Sequence, residues 1–161
     1  LVSCDAQYRA VLAEYNLTYD SNPLFRAAAY DGIVDVMDAL RTKGVAIAIL
    51  SNKPHTTTCQ IAQGLFGDRV DACFGGRDGV PLKPAPDAVN ALMAQFDASP
   101  AECLYIGDTA TDMETAANAG VFSIGAEWGF RSVDELKNAG AGALAAQPSD
   151  ILAIAAEKFG I

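Results

Sequence analysis

Basic residues are scarce in this chain. Eleven Lys and Arg stand against twenty Asp and Glu, for a formal net charge of −9. A nucleic-acid or anionic-membrane partner needs a basic face, so neither class is expected. A small anionic substrate stays open, because a few local cations or a metal ion reverse the sign inside a cleft. Histidine and tryptophan occur once each, as His55 and Trp128. The four cysteines, Cys4, Cys59, Cys73 and Cys103, form no close pair and no metal-ligand spacing. They are expected as buried free thiols in a reducing compartment. No apolar run reaches the roughly 20 residues of a membrane span, and the chain shows no signal-peptide pattern. The expectation is a cytoplasmic protein with no internal repeat and no low-complexity tract.

What is present fits one domain. The chain has 161 residues, of which 51% are hydrophobic, enough to bury a core. "DGIVDVMDALRTKG" (31–44) places Ile33, Val36, Met37 and Leu40 on one helical face and stops at Gly44. "VAIAIL" (45–50) is short, continuous and apolar, the pattern of a strand buried on both faces. A helix with proline in its first turn follows over 54–67, then a short strand at 72–74 and a helix at 87–96. Strands at 103–106 and 121–125 flank a helix at 111–118, where Thr111 and Glu114 have capping-box spacing. Ser132 and Glu135 repeat that signal before a helix at 132–140, and a weak strand (143–146) and a last helix (149–159) complete the chain. Strands alternating with helices on short turns predict an α/β fold, a doubly wound parallel sheet with its site at the carboxyl ends of the strands. Residues 1–30 are different: "AQYRAVLAEYNLTY" is helical in pattern but stands outside that alternation.

Three polar groups fall at predicted strand ends or in the loops leading to them. Ser51-Asn52-Lys53 offers a hydroxyl, an amide and helix-start N–H groups, which together make an anion site; the plainer reading is an ordinary helix cap. Lys83 sits in "PLKPAPD", where prolines stiffen the backbone around a cation; alone it would be a surface lysine. Asp108 and Asp112 lie where a buried strand gives way to a helix. Carboxylates there suit a hard cation such as Mg²⁺, whereas first-turn helix electrostatics would also account for Asp112. His55 reads as a solvated first-turn residue, Trp128 as packing at the sheet end, and Arg131 as exposed, with a substrate carboxylate as its other reading.

Taken together, "ILSNKP", "KPAPD", "YIGDTATDMETAANAG" and "WGFR" resemble the haloacid dehalogenase superfamily of phosphatases, and within it the phosphoglycolate phosphatase branch. The resemblance runs from about Tyr30 to the C-terminus. It implies a Rossmann-like core and a Mg²⁺-dependent phosphatase of small phosphorylated metabolites acting through a phospho-aspartyl intermediate. It implies that Ser51 and Asn52 bind the transferring phosphoryl group and that Lys83 offsets negative charge. Asp108 would ligate Mg²⁺, and Asp112 would support the metal directly or through water. Phosphoryl transfer is mostly positioning plus neutralisation of spread negative charge, which these groups supply without a basic surface.

The resemblance also exposes a gap. The family's first motif, an apolar strand followed by Asp-x-Asp-Gly-Thr, carries the nucleophile and the general acid–base, and it does not occur in this chain. Asp5 in "LVSCDAQ" has no second aspartate two residues on and no glycine-threonine turn. Residues 1–28 resemble the last helix of a cap, and residues 29–161 a core lacking its first strand. In the family that strand lies mid-sheet, so its loss leaves two unpaired edges, and self-association through the incomplete sheet is expected. The nucleophile would then lie upstream. The alternative is a nonhydrolytic remnant that binds phosphate or a partner. A third reading, a phosphomutase or a dehalogenase, is weakened in its dehalogenase form by Asp108, because that chemistry needs no Mg²⁺.

Overall fold

The apolar runs form short strands, and among the described residues every strand ladder is parallel. The computed structural model describes residues 5–161, except for the side chains of residues 15, 16 and 18–20. Helix α1 (Asp5–Ser21) precedes α2 (Ile33–Thr42), β1 (Ala48–Pro54), α3 (His55–Phe66), β2 (Ala72–Gly76) and α4 (Asp87–Gln95). Then come β3 (Leu104–Gly107), α5 (Ala110–Ala119), β4 (Phe122–Ala126), α6 (Val133–Asn138), β5 (Ala143–Ala145) and α7 (Asp150–Phe159). This is the α/β alternation of parallel strands and covering helices that the patterning predicts.

Among the described residues the strands form two sheets rather than one. Strand β1 pairs with β2, with Ala48 opposite Ala72 and Leu50 opposite Phe74. Strand β3 pairs with β4, Leu104 opposite Phe122, and β4 with β5. No ladder joins β1 to β3. Helices nevertheless tie the two sheets together. Val36 and Leu40 of α2 and Ile151 and Ala155 of α7 pack with Ile47, Leu104 and Ile124. Val89 and Met93 of α4 and Ala116 of α5 pack with Leu50, Cys103 and Tyr105. Leu104 and Tyr105 are consecutive in a strand, so the two clusters lie on opposite faces. Each cluster draws on β3 and on β1 or its lead-in. Where β1 and β3 face no partner strand, Ile106 remains 39% exposed, high for the apolar strand of a covered parallel sheet.

Strand β1 starts three residues later than its apolar run. The Ile47 N–H donates to Asp71 Oδ2 at 2.8 Å, and the Ile47 carbonyl accepts from the Asp71 N–H at 2.8 Å. Asp71 is held in turn by Arg41 of α2 at 2.8 Å. This exchange with the turn before β2 satisfies the backbone locally, so Val45 and Ile47 pack against the core without joining the ladder.

The α5 cap also differs from the expected one. Thr109, not Thr111, is the N-cap, with Asp112 at the reach-back position in place of Glu114. Ser132 caps α6 as predicted, accepting the Glu135 N–H. Helix α1 exposes Tyr8, Val11, Leu12 and Leu17. Among the described residues no helix is long and apolar enough to cross a membrane. Cys59, Cys73 and Cys103 are free and half-buried, less enclosed than predicted; Cys4 lies outside the described residues. Burial raises the Cys103 thiol and, with help from the neighbouring Cys59, pushes Cys73 up to about 12. Both are protonated at neutral pH and unsuited to act as nucleophiles.

Candidate active site

The end of β1 and the loops after β2, β3 and β4 are linked by hydrogen bonds, of which the one between Lys83 and Asp112 crosses from one sheet to the other. At the end of β1, the Asn52 amide clasps the main chain of Lys83. Asn52 Oδ1 accepts the Lys83 N–H at 2.8 Å, and Asn52 Nδ2 donates to the Lys83 carbonyl at 3.1 Å. Ser51 Oγ accepts the Lys53 N–H at 3.2 Å, an arrangement that leaves the hydroxyl proton free to donate. The structure thus gives Asn52 a bracing role that the sequence did not show, with one amide proton still available. Ser51, Asn52 and Lys83 line one recess together with Gly76 and Leu82.

Lys83 reaches from this recess to the other sheet. Its Nζ meets Asp112 Oδ1 at 2.7 Å, with the two side chains only 15% and 8% exposed. Asp112 is the hub of the site. Its Oδ1 also accepts from the Tyr105 hydroxyl at 3.3 Å. Its Oδ2 accepts the N–H groups of Asp108 and Thr109 and the Thr109 hydroxyl, at 3.2, 3.1 and 2.7 Å. Burial alone would raise the Asp112 carboxyl. The hydrogen bonds and charge of Lys83, the Thr109 hydroxyl and the Asp108 N–H outweigh it and hold the group below the usual carboxylate range. Tyr105 is raised by burial and by the adjacent carboxylate, so it stays a neutral donor. Both Asp112 oxygens are committed, and a direct bond to a cation would cost it part of this set. Gly107 makes the arrangement possible: a Cβ there would lie 2.5 Å from Asp112 Cγ.

Asp108 is differently placed. Its Oδ2 accepts the Phe130 N–H at 2.9 Å, from the loop after β4. It sits one residue beyond β3, beside the open edge. Its donor chemistry fits Mg²⁺, which keeps several waters and takes one or two carboxylates plus phosphate oxygens. Among the described residues no three His, Cys, Asp or Glu side chains gather into a complete metal-binding set. Of these side chains, Asp108 is the carboxylate that could hold such an ion, with Asp112 behind it.

Other residues fall elsewhere. His55 is no simple solvated residue: its Nδ1 accepts the Gly75 N–H at 3.3 Å, and Arg77 approaches both ring nitrogens at 3.1–3.2 Å. A guanidinium nitrogen that is equidistant from both lies against the ring face. Arg131 is 58% exposed and faces Glu135 at 3.7 Å. Trp128 packs against the core below the site, as expected. Sequence reasoning missed Tyr105, which read only as part of an apolar strand.

The chain also matches known proteins in sequence and in fold. The model of haloacid dehalogenase-like hydrolases matches residues 5–120. The chain is 29% identical over 127 residues to a phosphoglycolate phosphatase of Rhodospirillum rubrum, covering 78% of the chain and 53% of the relative. It is 28% identical over 156 residues to the pyrophosphatase PpaX of Listeria monocytogenes, covering 94% of the chain and 69% of the relative. A solved structure from Lactobacillus delbrueckii subsp. bulgaricus, under the provisional name of phosphoglycolate phosphatase, superposes with a TM-score of 0.86 at 31% identity. That match covers 92% of this chain and 62% of the other. The chain spans about half the length of the first curated relatives it matches.

Proposed function

Since the chain belongs to the haloacid dehalogenase-like hydrolase family, we propose that its full-length protein is a Mg²⁺-dependent phosphatase of small phosphorylated metabolites, with phosphoglycolate the leading substrate. The observation that carries this reading is the linkage from Ser51 and Asn52 through Lys83 and Asp112 to Asp108. Ser51 donates its hydroxyl to the phosphoryl group. Lys83 Nζ keeps two donors beyond its bond to Asp112 and neutralises phosphoryl charge. Asp108 holds the cation, which when bound would offset charge on the phosphoryl oxygens. Asp112 fixes the Lys83 ammonium and the Asp108 backbone at once. The nucleophilic aspartate and its acid–base partner belong to a segment upstream of Leu1, on a strand that fills the space between β1 and β3.

In this reading the isolated 161-residue chain cannot turn over and self-associates along its unpaired edges. Both the chain and the full-length protein should be assayed with Mg²⁺ against an aryl phosphate, phosphoglycolate and pyrophosphate. The expected result is Mg²⁺-dependent hydrolysis by the full-length protein alone, fastest on phosphoglycolate, and a concentration-dependent size for the short chain. Preference for pyrophosphate would move the substrate toward that of the Listeria relative. Turnover by the short chain, abolished by Asp5→Asn, would contradict the upstream nucleophile. A full-length protein that binds phosphate but never hydrolyses it would leave the nonhydrolytic alternative standing.

A further inference from the structure

Each of the two carboxylates at the end of β3 occupies space that a missing Cβ leaves open. Asp112 lies over Gly107, and Asp108 lies over Gly129 in the loop after β4. A Cβ on Gly129 would fall well inside 3.0 Å of the Asp108 Cβ, and 2.5 Å from its Oδ2. Real Cβ atoms do not approach so closely. The next residue, Phe130, donates its N–H to that same Oδ2 at 2.9 Å. The loop is not free to retreat. Glu127 N–H is bonded to the Ala145 carbonyl at 3.0 Å, Gly129 N–H to the Ala126 carbonyl at 3.3 Å, and Trp128 is packed in the core. A methyl group at position 129 therefore forces Asp108 and the loop apart and breaks the fit between the carboxylate and the Phe130 N–H.

The geometry points to Gly129 as a positioning residue: with the Phe130 N–H it forms a backbone cradle that fixes one Asp108 oxygen and turns the other toward a bound cation. This inference rests on Asp108 being a metal ligand. Groups that orient a ligand typically change metal affinity by about 10- to 100-fold when altered.

The test is Mn²⁺ binding to the full-length protein, followed by the electron paramagnetic resonance of free Mn²⁺, for wild type, Gly129→Ala, Gly142→Ala and Asp108→Asn. Gly142 is a matched control, since its Cβ would lie 2.7 Å from the Phe122 ring and 3.0 Å from the Ser123 carbonyl, away from Asp108. Gly129→Ala is expected to weaken Mn²⁺ binding by about 10- to 100-fold. Gly142→Ala is expected to lower the melting temperature with no change in affinity. A folded Gly129→Ala protein with wild-type affinity overturns the cradle while leaving Asp108 a ligand, provided Asp108→Asn still weakens binding. Unchanged affinity in Asp108→Asn overturns the metal assignment and the cradle with it. Should Gly129→Ala not fold, an ester in place of the Phe130 N–H removes the donor without adding an atom. A several-fold loss of affinity supports the cradle, and no loss overturns it.

Discussion

Asp112→Ala will unfold more easily than wild type by about 3–5 kcal/mol, the range for removing one partner of a buried ion pair. The Lys83 ammonium, 15% exposed, would lose its counter-ion. The N–H groups of Asp108 and Thr109 would lose their acceptor as well. Adding Lys83→Met should recover part of the loss by removing the stranded ammonium; the orphaned N–H groups account for what is not recovered. Asp38→Ala, which breaks the solvated pair with Arg69, should have little effect. The pH dependence follows from the lowered Asp112 carboxyl. Its contribution is complete above the ordinary Asp value of about 4 and is lost as pH falls through the lower folded value. Wild type should therefore lose stability in acid more steeply than Asp112→Ala. Denaturant melts across pH measure both effects, and a loss below about 1 kcal/mol would mean that the pair behaves as a solvent-exposed one.

Asp108→Asn in the full-length protein should reduce Mg²⁺-dependent kcat/KM by more than about 100-fold, the upper end for altering groups that only orient ligands. The asparagine carbonyl can still accept the Phe130 N–H, so the loop should stay in place while the anionic ligand is lost. Asp112→Asn should raise the Mg²⁺ requirement less, because the Asp112 oxygens are already taken by Lys83, Tyr105, Thr109 and backbone N–H groups. Its larger effect should fall on stability. Titrating activity against Mg²⁺ separates the two. Equal shifts would make both direct ligands, and no shift from Asp108→Asn would remove the metal reading.

The element order was legible because short apolar runs bounded by turn residues leave few alternatives. Boundaries were less so. Strand β1 slid because Asp71, a residue remote in sequence, takes the backbone groups of Ile47. The α5 cap was misplaced by two residues because Asp112 does the work expected of Glu114 while also pairing with Lys83. Ser51, Lys83, Asp108 and Asp112 could be singled out because their types and spacing are distinctive at strand ends. The Asn52 clasp on Lys83, the Tyr105 hydroxyl and the Gly129 cradle could not, since each depends on which loop lies beside which. His55 was read from its helix position alone, and β2 supplied the contacts that enclose it.

The most direct test of the account is a crystal structure of the full-length protein with Mg²⁺ and tungstate, an oxyanion that mimics phosphate. The account predicts Mg²⁺ on the Asp108 carboxylate and the oxyanion within hydrogen-bond reach of Ser51 Oγ and Lys83 Nζ. An oxyanion bound away from Ser51 and Lys83, or a metal that leaves Asp108 uncoordinated, would contradict it.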